Sequence, residues 1–418
     1  MLRLRTYAWC ALALALIFLQ DFRPDVAGLA IAPYQFSVVS WELGNLPDKW
    51  LRRLADLPKS FFGNLDDGLD AAQARRYFEI GERLREIHWR LITLEIDPEP
   101  GPGDARRIEK LKRERDSLAE RQSALRPGVE ETLETAIADS LQELGFKAWT
   151  GVFPPVDTVL TGSPTVLIMS PRDRIERIEG GLLHTALDSD QRAGIENRVE
   201  AETDWSALVV NTGGIALYPS ITANNVALPD AVEIIAHEWV HQWLWFRPLG
   251  RRYFESVDLT TLNETVATIA GAEIGQLALD RLPGPPADHS HPGPEPSSYI
   301  QHDATDRRLR FDFQAEMRAT RVRVDGLLEA GDIHGAEAYM EERRRLFVSE
   351  GYPIRKLNQA YFAFHGTYGT TGAAGVNVIG EQVQELRRRS PSLAEFLRTA
   401  AEFTGPDDLA RHLGRNNP

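Results

Sequence analysis

From Asp70 to Asp97, and again from Asp104 to Phe146, charged and apolar residues alternate at helical spacing, with Glu-Pro-Gly-Pro-Gly between them at Glu99 to Gly103. The pattern predicts two long helices in a hairpin, the second interrupted at Pro127-Gly128, where the proline ring removes a backbone donor. Such a charge-rich pair reads as an exposed scaffold. Composition then turns to β-type residues. Thr165 to Ser170 and Ala207 to Asn211 predict short strands, and Gly213-Gly214 turns the chain into a further one at Ile215 to Tyr218. With a helix at Asp190 to Thr203 between them, these strands predict a small mixed sheet.

Helical periodicity resumes at Ala231 to Phe246, behind Pro229-Asp230 as a proline and acidic start, and ends at Pro248 and Gly250. A second helix fits Leu259 to Leu282. Pro283 to Ser298 is rich in Pro, Gly, His and Ser and predicts an irregular linker. Helices are expected again at Asp303 to Glu329, Ile333 to Val348, Ile354 to Thr367, Gly375 to Arg389 and Ser392 to Phe403. No longer period repeats. The fold class expected is helix-rich α+β.

Thr6 to Leu19 carries no charge and follows Arg3 and Arg5, the layout of an export segment that leaves the arginines in the cytoplasm. At about 1.5 Å per residue the run makes roughly 21 Å of helix, against a hydrocarbon core of ~30 Å, unless Leu2 joins in and the arginines snorkel. The nearest small-x-small site, Ala30-Ile31-Ala32, lies well beyond it. A single-pass anchor with an extracytoplasmic domain is expected, or secretion after signal cleavage.

Across 418 residues, 43% hydrophobic and 26% charged content excludes a disordered tail and a multi-span membrane protein. A net charge of −14 repels phosphate backbones and excludes general nucleic-acid binding. The single cysteine, Cys10, sits in the apolar run, so a metal site must be built from His, Asp or Glu.

Such a site is present as a pattern. Ile235 to Trp243 reads Ile-Ala-His-Glu-Trp-Val-His-Gln-Trp, containing H-E-x-x-H. Residues four apart on a helix share a face, so His237 and His241 can both reach one ion, and Glu238 points about 100° around the axis, placed to act as general base on a metal-activated water. A catalytic zinc needs a third protein ligand and an open position. Glu264, on the next predicted helix among Leu262, Val266, Ala267 and Ala270, is a carboxylate that would be costly to bury without a cation.

On these residues the chain resembles the gluzincin class of zinc metallopeptidases, which includes thermolysin and the aminopeptidase N type. The resemblance rests on His237-Glu238-x-x-His241 followed by Asn263-Glu264-x-x-Ala267. It implies a zincin-like domain, one zinc ion on His237, His241 and Glu264, and Glu238 as catalytic base. It also implies a β-hairpin edge strand beside the active-site helix, for which Ala207 to Tyr218 has the matching chain position. The aminopeptidase N type carries Gly-x-Met-Glu-Asn upstream, where this chain has Thr212-Gly213-Gly214-Ile215-Ala216. His241-Gln242, with Leu357-Asn358-Gln359-Ala360 and Tyr368, is also similar to a bacterial family of predicted aminopeptidases.

Peptide hydrolysis needs a donor to its oxyanion. Tyr361, His365 and Tyr368 share a helical face and are the candidates, with an aromatic core stripe as the alternative. Arg355 is a candidate anchor for a substrate carboxylate. Glu233 and Glu273 are candidates to orient the histidines, and His289, His291 and His302 read as solvated linker residues. The expected organisation is a signal or anchor segment over 1–24, a helical hairpin region over 25–147, a zincin catalytic core over 148–282, a Pro-rich linker over 283–300 and a helical subdomain over 301–418. The expected substrate is a peptide or unfolded protein. The alternatives are zinc hydrolysis of a non-peptide amide, or a membrane-tethered helical scaffold whose H-E-x-x-H is inert.

Overall fold

The computed structural model of the protein describes residues 26–45, 70–96, 103–147, 151–185, 187–282, 311–350, 352, 354–366 and 378–415. In chain order its elements are α1 (Val26–Ile31), α2 (Ala71–Ile96), α3 (Asp104–Glu143), β1 (Thr158–Thr161), β2 (Thr165–Pro171), β3 (Ile178–Leu183), α4 (Ser189–Glu202), β4 (Trp205–Asn211), β5 (Gly214–Ile215), β6 (Ser220–Ala223), α5 (Leu228–Trp245), α6 (Pro248–Arg251), α7 (Val257–Arg281), α8 (Phe313–Glu329), α9 (Ile333–Ser349), α10 (Gln359–His365), α11 (Val378–Arg389), α12 (Leu393–Ala401) and α13 (Pro406–Arg415). The architecture is helix-rich α+β. Segments 1–24 and 283–300 lie outside the described residues, and among those described no helix is long and apolar enough to cross a membrane.

The chain divides into two compact units. One draws on Met1–Leu54, Pro164–Thr212 and Glu295–Gly380, the other on Ala55–Ser163, Gly213–Pro294 and Glu381–Pro418. The units interleave along the chain.

In the first unit β2 is the centre of an antiparallel sheet of order β3-β2-β4. Alternate residues of β2 serve two cores. Val166 and Ile168 pack with Met317, Phe347 and Phe362 from α8, α9 and α10. Leu167 and Met169 pack with Ile31 of α1 and Val199 of α4. A strand covered on both faces reads as a continuous apolar run, which is how Thr165 to Ser170 looks in the sequence. An Asp188–Gln191 capping box starts α4.

The second unit holds a mixed sheet of order β1-β6-β5, with β1 parallel and β5 antiparallel to β6. The strand pair expected as a hairpin over Ala207 to Tyr218 is therefore divided: β4 pairs with β2, whereas β5 pairs with β6. Two acids of α3 hold β1, Glu134 accepting from the Thr158 amide at 2.8 Å and Glu130 from the Leu160 amide at 2.9 Å.

Pro127 does not interrupt α3, which runs unbroken through it. Loss of one helical hydrogen bond and the ring clash cost about 3 kcal/mol or more. Tertiary packing offsets this on either side of the proline. Gln122 donates to the Asn224 carbonyl at 2.9 Å, and Val129, Leu133, Ile137 and Leu141 are fully buried.

Candidate metal centre

All parts of the centre belong to the second unit. Helix α5 is apolar on most of its circumference and is a core helix. Its back is fixed by Trp239, whose indole N–H donates to the Pro154 carbonyl at 2.8 Å, and by Phe146, which meets Trp239 and Trp243 edge-on at 5.7 and 5.4 Å. This leaves His237 and His241 on the face turned to α7.

Helix α7 starts at Ser256, whose hydroxyl accepts from the Leu259 amide at 3.2 Å. It approaches α5 closely because two glycines stand at the crossing. A Cβ on Gly271 would lie 3.0 Å from Cα of His237, and one on Gly275 would lie 2.9 Å from Cα of Glu233. Glu264 lies two helical turns before Gly271 on the same face, so this backbone approach lets a short carboxylate reach the imidazoles.

Three donor atoms converge. Glu264 Oε2 stands 3.4 Å from His237 Nε2 and 3.5 Å from His241 Nε2, and the two Nε2 atoms are 2.9 Å apart. Donors about 2.0–2.1 Å from a tetrahedral zinc stand roughly 3.3 Å from one another, so the spacing fits. Glu264 Oε2 is buried with no hydrogen-bond partner, and two imidazole nitrogens at 2.9 Å oppose their lone pairs unless a proton or cation lies between them. The donor set suits zinc.

Supporting contacts fix His241 and Glu264. Asn263 Oδ1 lies 2.8 Å from His241 Nδ1, which orients the ring as a donor there and turns Nε2 to the common point. Tyr253 donates its hydroxyl to Glu264 Oε1, leaving Oε2 turned to the two histidines, and its ring meets that of His241 edge-on at 5.9 Å. Tyr253 is not evident from the sequence. It sits in the connection after α6, and its only signal is an aromatic pair, Tyr253-Phe254, between two patterned helices.

Electrostatics favour positive charge at this point. Desolvation pushes the Glu264 carboxyl up, but His241 and His237 outweigh it and hold it well below the usual carboxylate range. Desolvation disfavours charge on His241, yet Glu264, Glu238 and Asn263 raise it to about 9. Glu238 is pushed up by its burial and by Glu264, against the pull of both histidines. Its carboxylate packs on β5, where a Cβ on Gly214 would fall 2.5 Å from Glu238 Oε1. That close approach explains Gly214.

Some of the other candidates from the sequence are also among the described residues. Tyr361 and His365 lie on α10 in the first unit, with ring centroids 4.1 Å apart and ring planes tilted by 49°. Desolvation and Arg177 lower His365 to about 3, so it is a neutral ring and not an imidazolium donor at neutral pH. Tyr368, His289, His291 and His302 lie outside the described residues. Arg355 is paired with Glu196, and Glu273 makes a two-pronged pair with Arg387 at 2.7 and 2.8 Å. Burial raises the Glu233 carboxyl to about 7, against the pull of His237.

No protein-family model, curated protein or solved structure matches the chain.

Proposed function

We propose that the chain is a zinc-dependent peptidase with a zincin-like catalytic region, acting on a peptide or unfolded protein. The observation that carries this reading is the convergence of His237 Nε2, His241 Nε2 and a buried Glu264 Oε2 that makes no hydrogen bond, with the Glu238 carboxylate next along the same helix. His237, His241 and Glu264 would hold zinc, which would supply Lewis-acid chemistry there. Glu238 accepts the proton of the attacking water and returns it to the leaving amine. Asn263 and Tyr253 keep His241 and Glu264 in their binding orientations. The β5 edge, beside α5, offers backbone groups for an extended substrate to pair with. The N-terminal apolar run supports an extracytoplasmic location, anchored or secreted.

Digestion of a peptide library by the purified, zinc-loaded full chain tests this. The wild type is expected to cleave, and Glu238→Gln to keep its zinc while losing about 100-fold or more of the rate, the scale of a general base. Cleavage at the wild-type rate by that variant removes Glu238 from the role. Absence of any cleavage by a zinc-loaded wild type favours a non-peptide amide or an inert scaffold.

A further inference from the structure

Among the described residues every exposed Phe or Trp lies in two short segments: Phe153 (56% exposed), Trp245 (60%), Phe246 (49%) and Phe254 (77%). Single exposed apolar residues are ordinary on a soluble surface, but grouped aromatic rings are not. Phe153 packs on Phe246 with ring centroids 5.2 Å apart, so the loop before β1 and the end of α5 share one apolar surface, and exposed Trp245 directly precedes Phe246 in the chain. Exposed Arg251 donates from Nη2 to the Phe246 carbonyl at 3.2 Å, which holds a guanidinium at the border of these rings. Arg252 is also exposed and lies 3.8 Å from Glu255.

Charge sets the same surface apart. The chain has 61 acidic residues against 47 basic ones, yet from Trp239 to Phe254 it carries Arg247, Arg251 and Arg252 and no carboxylate. The segment 151–156, Gly-Val-Phe-Pro-Pro-Val, is uncharged. An anionic surface repelled by the molecule as a whole meets complementary charge here.

We propose that this patch of aromatic rings and arginines docks on an anionic phospholipid surface, with Phe153, Trp245 and Phe246 at the headgroup boundary and Arg251 on lipid phosphates. Indole and phenyl rings favour that boundary, and each arginine near an anionic surface adds attraction. The same chain carries the uncharged stretch Thr6 to Leu19 behind Arg3 and Arg5, a membrane-anchor sequence. Tethering makes the second contact intramolecular, so a weak interfacial affinity suffices. Trp245 follows His241 by one helical turn, which places the end of the metal-binding helix near the headgroups. The proposal is independent of zinc and of turnover.

The test uses the full chain carrying Cys10→Ser and Trp245→Cys, labelled at the new thiol with an environment-sensitive fluorophore. It is reconstituted into phosphatidylcholine vesicles containing phosphatidylglycerol, into pure phosphatidylcholine vesicles, and into detergent. Because position 245 is exposed, the label leaves the core intact, and the same label at Phe254→Cys provides a second site. The expected result is blue-shifted emission in the phosphatidylglycerol vesicles that doxyl-labelled lipids quench. Quenching should fall several-fold in pure phosphatidylcholine and in the Arg251→Glu, Arg252→Glu variant. Unquenched emission in all three media overturns the proposal, as does equal quenching in both vesicle types. A blue shift in detergent that grows with protein concentration assigns the patch to a second copy of the chain, and one produced by added peptide assigns it to substrate; either overturns it.

Discussion

Gly271 lies against the backbone of His237 so closely that a Cβ in its place would come within 3.0 Å of the histidine's N, Cα and Cβ atoms. This contact, repeated one turn on by Gly275 against Glu233, sets the separation of the two helices that carry His237, His241 and Glu264. Gly271→Val is expected to destabilise the fold by about 1–3 kcal/mol and to weaken zinc binding, because overpacking at the crossing withdraws Glu264 from the rings. Urea unfolding and zinc titration measure both effects. Gly194→Ala on α4 is the control: a Cβ there meets nothing within 4 Å, and the change should be neutral or stabilising. Unaltered stability and affinity in Gly271→Val would show that the glycine does not set the spacing.

Tyr253 holds Glu264 by a hydrogen bond to the oxygen that faces away from the histidines. Tyr253→Phe keeps the ring against His241 and removes only the hydroxyl, so zinc affinity should fall about 10-fold or more. Competition with a fluorescent chelator reads the change. A variant that binds zinc as tightly as the wild type would assign the hydroxyl no part in orienting the ligand.

Asn263 fixes the His241 tautomer through Oδ1. Asn263→Leu is close in size and lacks the acceptor, and a loss of about 10- to 100-fold in zinc affinity is expected. Asn263→Asp, which keeps an acceptor, should recover most of it. Equal affinities in the two variants would count against this role.

Glu233 gives a pH signature. Its carboxyl titrates at about 7 in the folded chain against an ordinary 4.5, through burial and the nearby Asp230, opposed by His237. The folded state therefore binds more protons than the unfolded state between those values, and stability falls as pH rises through this window. Glu233→Gln should flatten that slope and add about 2 kcal/mol at pH 8, a figure reduced from the full shift because the group is partly exposed. Urea unfolding of the zinc-free full chain at pH 5 and pH 8 checks the sign. A variant no more stable at pH 8 than the wild type contradicts it.

The cluster of His237, His241 and Glu264 is legible in the sequence because its information is local. His237 and His241 are related by helical geometry alone, and Glu264 stands out as a carboxylate among residues that must be buried. Tyr253 was not legible, since its contact with Glu264 depends on how a loop returns between helices. The division of β4 and β5 between two sheets is equally silent in the sequence, because alternation marks a strand without naming its partner. Pro127 shows the opposite limit: a strong local signal is overridden by packing along α3, where Gln122 and Val129 are held on either side.

The central claim is that His237, His241 and Glu264 jointly bind one zinc ion. Its most direct measurement is the zinc content of the full chain, purified without chelators, beside Glu264→Ala and His241→Ala. About one zinc per wild-type chain is expected, with a strong loss in each variant and the variants still folded by circular dichroism. A folded wild-type chain that takes up no zinc, or a Glu264→Ala chain that holds it as tightly as the wild type, would contradict it.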